Sequence, residues 1–154
     1  MSNPLALIVE DRPEIARMWR GNLDRLEINS IHVTNLTNAF HELDKIPPPD
    51  MVLLDLNLNI EEDANYTVTQ IKEMKKRNPD LIVIIISGVL TPELTELAIR
   101  QGADGIREKL ELRRQEDFWA AIKESLGKAP TKAKHAFTHP LEILEALSKK
   151  LHLL

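Results

Sequence analysis

A chain of 154 residues, 43% of them apolar, can bury one substantial core and hardly a second. The lack of any cysteine excludes a disulfide framework or a thiolate metal site and suits a reducing, cytoplasmic setting, while a formal charge of -4 offers no field for polyanions, so direct nucleic-acid binding is not expected. No apolar run reaches the roughly 18 residues that span a bilayer, and Met1-Ser2-Asn3-Pro4 lacks the basic start and apolar stretch of a signal peptide, so a soluble protein without membrane contact is expected.

Short apolar runs alternate with longer amphipathic segments, the rhythm of a parallel sheet covered by helices on both faces. The first run, Leu5 to Val9, is followed by Ile15, Met18, Trp19, Leu23 and Leu26 at helical spacing. A second run at Ile31 to Val33 precedes Pro47-Pro48-Pro49-Asp50, which imposes an extended approach to the third run, Met51 to Leu54. Val68, Ile71 and Met74 mark a helix that Asn78-Pro79-Asp80 ends. Leu81 to Ile86 is unbroken and rich in β-formers, as expected of a central strand buried on both sides. Leu94, Leu97 and Ala98 mark a helix closed by Gly102, a weak fifth run lies at Gly105 to Arg107, and a sixth helix is expected from about Arg113 to Leu126. The expected fold class is α/β: a doubly wound, five-stranded parallel sheet with an extra C-terminal helix.

The charge balance places a boundary near Gly127. Residues 128 to 154 carry five Lys and two Glu, while the rest of the chain is strongly acidic. The expected organisation is a domain over 1–127, a basic linker over 128–140 and a helix over 141–154. In that helix Leu144, Leu147, Leu151 and Leu154 form one apolar stripe. So short a helix is not stable alone in water, so docking on its own domain, self-association as a homodimer, or binding to another protein remain open.

Ligands of a doubly wound sheet gather at the carboxyl ends of its strands. There the sequence places Glu10-Asp11, Asp55, Ser87 and Lys109. Each has an ordinary role if taken singly: Asp11 before Pro13 and Glu14 reads as a helix cap with a capping-box partner, Asp55 as a turn former, Ser87-Gly88 as a strand exit, and Lys109 as a surface residue. Taken together they are three acids, a hydroxyl and an ammonium at one edge. Mg²⁺, a hard cation, suits this set: Asp11 and Asp55 as direct ligands, Glu10 through a bound water, and the backbone carbonyl of Asn57. Asp55 is then a nucleophile toward a phosphoryl group, with Lys109 and the metal offsetting developing charge and Ser87 donating to a phosphate oxygen. Movement of Ser87 would carry Gly88 to Thr91 with it.

Ile8-Val9-Glu10-Asp11, Leu53-Leu54-Asp55-Leu56-Asn57-Leu58, Ile86-Ser87-Gly88 and Gly102-Ala103-Asp104 through Lys109 resemble the receiver family of two-component response regulators, over about residues 4 to 126. The resemblance implies a flavodoxin-like fold, Asp55 as phosphoacceptor, Glu10 and Asp11 as the acidic pair, Ser87 as the switch hydroxyl and Lys109 as the family's lysine. It also implies a phosphohistidine donor on a sensor histidine kinase or a histidine phosphotransfer protein. Several residues depart from the family pattern. Leu110 replaces a proline that follows the lysine through a cis bond, so a trans bond and a rerouted loop are expected, which puts the reach of Lys109 in question. Ile106 replaces an aromatic residue, and Asn59 a frequent proline. Glu61-Glu62-Asp63 reads as a solvated loop, with Asn65 supplying a left-handed turn in place of glycine.

Three function classes follow: a phosphorylation-controlled switch of protein contacts, a receiver-like module with impaired switching, and a phosphohydrolase. The last would want a second Asp where Asn57 stands, and no Gly-rich loop follows Val9 or Ile86 to serve a nucleotide. His32, His41 and the tail histidines show no mutual spacing, and Trp19 and Trp119 read as core or rim residues.

Overall fold

The structure is a computed structural model that describes residues 3–58, 63–88, 90–109 and 116–127. Strands and helices alternate in the order β1 (Leu5–Val9), α1 (Pro13–Arg25), β2 (Asn29–Val33), α2 (Leu36–Leu43), β3 (Met51–Leu54), α3 (Ala64–Arg77), β4 (Ile82–Ser87), α4 (Pro92–Gln101), β5 (Gly105–Glu108) and α5 (Glu116–Leu126). All neighbouring strands pair in parallel, in the order β2-β1-β3-β4-β5. The order reverses between β1 and β3, which opens a crevice at their carboxyl ends.

Strand alternation sorts the apolar side chains into two cores. Leu7, Val9, Val52, Leu54, Val83, Ile85 and Ile106 pack with α2, α3 and α4. Ala6, Ile8, Leu53, Ile82, Ile84 and Ile86 pack with Trp19 and Leu23 of α1 and with Phe118, Trp119 and Ile122 of α5. Each fully buried Leu or Ile contributes about 1.5–3 kcal/mol. β4 is buried at all six positions, as its unbroken apolar run requires.

At the amino end of β4 a buried carboxylate ties three segments together. Asp104 Oδ2 accepts from the Val83 amide at 2.9 Å and pairs with Lys75 of α3, whose Nζ also donates to the Leu81 carbonyl at 2.5 Å. Asn35, Asp63 and Thr91 cap α2, α3 and α4 through their side chains, and Gly102 ends α4 at φ 100.

Several expectations need correction. The closing helix is the fifth among the described residues, where it covers Glu116–Leu126; the expected start near Arg113 lies outside them. β2 starts two residues earlier than its apolar run, at Asn29. Met18 is 46% exposed, and the buried positions of α1 are Ala16, Trp19 and Leu23. Asp11 does not cap α1: the cap position is Arg12, without a side-chain bond, and Glu14 pairs with Arg12 instead. Asn65 lies in the first turn of α3, behind the Asp63 cap, and the non-glycine residue with positive φ among those described is Glu27, at 61°, in the turn between α1 and β2. The Lys109–Leu110 bond, Asn59, Glu61, Glu62 and the expected linker and C-terminal helix lie outside the described residues. Among the described residues, no helix is long and apolar enough to cross a membrane.

Candidate phosphoacceptor site

Each residue of the crevice stands at or just past the end of a strand. The β1–β3 ladder ends at Val9 and Leu54, and one more main-chain bond, Asp55 N–H to the Val9 carbonyl at 3.0 Å, sets Asp55 beside Glu10. β5 pairs with β4 as far as Ser87 and Glu108, so Lys109 leaves the sheet at the same edge. Carboxylate oxygens of Glu10, Asp11 and Asp55 lie within 4.8 Å of one another. Glu10, Asp55 and Ser87 are fully buried.

Lys109 reaches this cluster, which answers the question raised by Leu110. Its Nζ lies 3.1 Å from Glu10 Oε2 and 3.1 Å from Asp55 Oδ2, and donates to Glu10 Oε1 at 3.3 Å. Three carboxylates against one ammonium leave two negative charges uncompensated. Glu10 bears the cost of this setting: burial first and the Asp55 charge second push its carboxyl up to about 7, with Lys109 opposing both.

The donor set fits a hard divalent cation. All three side chains offer oxygen, the excess charge is the size such an ion removes, and a buried Asp11 oxygen, Oδ1, has no hydrogen-bond partner. Asn57 is exposed two residues past Asp55, and its amide donates to Asp55 Oδ1 at 3.3 Å. Ile106, at the position of the missing aromatic, is a core residue, 1% exposed.

Sequence reasoning passed over one contributor. The His32 Nε2 lies 2.7 Å from the main-chain carbonyl of Glu10. A lone histidine on a short strand has no spacing signal, and only the β1–β2 register brings it to the acidic turn.

Comparisons with known proteins agree with this geometry. The model of the response regulator receiver domain matches residues 6–122. Among solved structures, a response regulator from Thermotoga maritima is 19% identical with a TM-score of 0.67, covering 82% of this chain and 99% of its own. The signal receiver domain of a DNA binding response regulator protein from Colwellia psychrerythraea is 25% identical with a TM-score of 0.66, covering 82% of this chain and all of its own. A two-component response regulator of the LuxR family from Aurantimonas is 17% identical with a TM-score of 0.68, covering 97% of this chain and 98% of its own. No curated protein matches.

Proposed function

Because the chain belongs to the response regulator receiver domain family, we propose that Asp55 is the phosphoacceptor of a switch that alters protein contacts. The family is one of phosphoacceptor domains, and the cluster of Glu10, Asp11 and Asp55 fits its phosphorylation site. The observation that carries the reading is the convergence of those carboxylates with Lys109 at the topological switch point.

In the proposed reaction a carboxylate oxygen of Asp55 forms a bond to the phosphorus of a phosphohistidine while the P–N bond breaks. The imidazole leaves with the electron pair and takes a proton. The donor is a sensor histidine kinase or a histidine phosphotransfer protein, and the setting is cytoplasmic. Lys109, already 3.1 Å from Asp55, offsets charge that develops on the transferred group. Ser87, at the end of β4, is the hydroxyl that answers the acyl phosphate, which carries about two negative charges. Mg²⁺ would be held by Asp11, Asp55 and the Asn57 carbonyl, with Glu10 acting through water, and would supply charge neutralisation for the attack. The chain turns over no substrate of its own beyond forming and losing this acyl phosphate.

Intact-mass measurement after incubation with Mg²⁺ and acetyl phosphate tests the proposal. The wild type should gain one phosphate and Asp55→Asn none, because an amide cannot form the acyl phosphate. An unlabelled wild type would favour the receiver-like module, and labelling that survives Asp55→Asn would move the nucleophile elsewhere.

A further inference from the structure

The parallel ladder between β1 and β2 ends at Val9 and Val33. Beyond it, the Glu10 amide still donates to the Val33 carbonyl at 3.1 Å, but β2 has run out: Asn35 already caps α2. The Glu10 carbonyl therefore finds a side chain, His32 Nε2, at 2.7 Å. A carbonyl only accepts, so Nε2 carries the hydrogen. Strand alternation puts Ile31 and Val33 against the α2–α4 core and turns His32 toward α1, where it lines a cavity of about 210 Å³ with Pro13, Ala16, Arg17 and Arg20.

This bond matters because it holds the carbonyl side of the turn. Arg12, the cap position of α1, makes no side-chain cap; its carbonyl accepts from the Ile15 and Ala16 amides, and its own amide reaches back to Glu10 Oε1 at a long 3.3 Å. The peptide between Glu10 and Asp11 is a rigid plane that ends at the Asp11 Cα, so holding its carbonyl oxygen restrains the point from which the Asp11 side chain leaves the backbone. Asp11 is one of the three acids of the site.

We propose that His32 is a positioning residue for the acidic site: its Nε2–H, held on the Glu10 carbonyl, sets the Glu10–Asp11 peptide and with it the spacing of the carboxylates that take a divalent cation. The inference rests on the reading of this site as a metal-assisted phosphoacceptor. It requires no contact between His32 and the metal or the phosphoryl group.

The test uses the full chain with His32→Phe, which keeps a ring and loses the donor, and His32→Gln, whose amide nitrogen can reach the place of Nε2. Mg²⁺ affinity is measured by calorimetry, and phosphorylation by acetyl phosphate is followed at limiting and saturating Mg²⁺. Loss of one hydrogen bond of ordinary strength corresponds to an affinity about five- to tenfold weaker in His32→Phe. Its rate should fall in proportion at limiting Mg²⁺ and return at saturation, and His32→Gln should recover most of the affinity. Should the Phe variant not fold, His32→Val, suited to a strand, takes its place. Wild-type affinity in the donor-free variant, equal losses in the Gln and Phe variants, or a rate defect that saturating Mg²⁺ leaves intact would each overturn the proposal. A wild type that neither binds Mg²⁺ nor takes phosphate would overturn the site reading and this inference together.

Discussion

Glu10→Gln should stabilise the metal-free protein at alkaline pH. The native fold holds the Glu10 carboxyl at about 7 against an ordinary 4.5, chiefly through burial. Between those values the native state keeps a proton that the unfolded chain has lost, so stability falls as pH rises through the window. The cost is absent below 4.5, where both states are neutral, and complete above 7. At 1.36 kcal/mol per pH unit it amounts to about 3 kcal/mol. The glutamine is neutral throughout and escapes this cost while nearly preserving shape. For a domain of this size the difference corresponds to a rise in Tm of about 10 °C. Thermal unfolding of both proteins in chelator, from pH 4.5 to 8.5, should show curves that meet at the acid end and separate on the way to pH 7. Added Mg²⁺ should narrow the gap by binding the native wild type. A gap independent of pH, or a variant less stable than wild type at pH 8, would refute the idea that the buried Glu10 charge is only partly compensated by Lys109.

Asp11→Ala should weaken Mg²⁺ at least about tenfold, since it removes a direct oxygen ligand where outer partners alone are worth that much, and Glu10→Gln should do less harm; calorimetric titration compares them. Deleting residues 128–154 should change self-association or partner binding more than Asp55→Asn does and leave the fold intact, as sedimentation and circular dichroism of the two proteins would show. Identical association states, with a partner that still distinguishes phosphorylated from unphosphorylated shortened protein, would place the output on the domain itself.

What was legible in the sequence follows from how strongly each element is constrained. β4 was plain because both of its faces are buried and no polar residue interrupts Leu81 to Ile86. The apolar run of β2 is shorter than the strand because it is an edge strand, where Asn29 and Ser30 meet no apolar demand. Glu10, Asp11 and Asp55 could be found because topology alone carries strand ends to one crevice. Local rules failed where tertiary forces outweighed them. Asp11 had the sequence of a cap but belongs to the acidic site, and Asn65 had the chemistry of a turn but follows a stronger cap at Asp63. The reach of Lys109 could not be judged from its neighbour Leu110, because attraction between its ammonium and two buried carboxylates acts across 99 and 54 positions of chain. His32 was silent for a related reason: its partner is a main-chain carbonyl, which leaves no mark in the identity of Glu10.

The wholly buried β4 also carries a liability. The run Leu81 to Ile86, which leads into and fills most of the strand, is six consecutive apolar residues, five of them β-branched, with no charge and no proline, the composition that stacks into intermolecular sheets once exposed. Asp80 before it and Ser87-Gly88 after it are the nearest breaks. In the native sheet β3 and β5 occupy both of its hydrogen-bonding edges, and Phe118, Trp119 and Ile122 of α5 help cover the face that bears Ile82, Ile84 and Ile86. Keeping the last helix docked therefore guards against aggregation as well as completing the core, and a chain cut before Glu116 would strip part of the cover from this segment and leave the rest to α1.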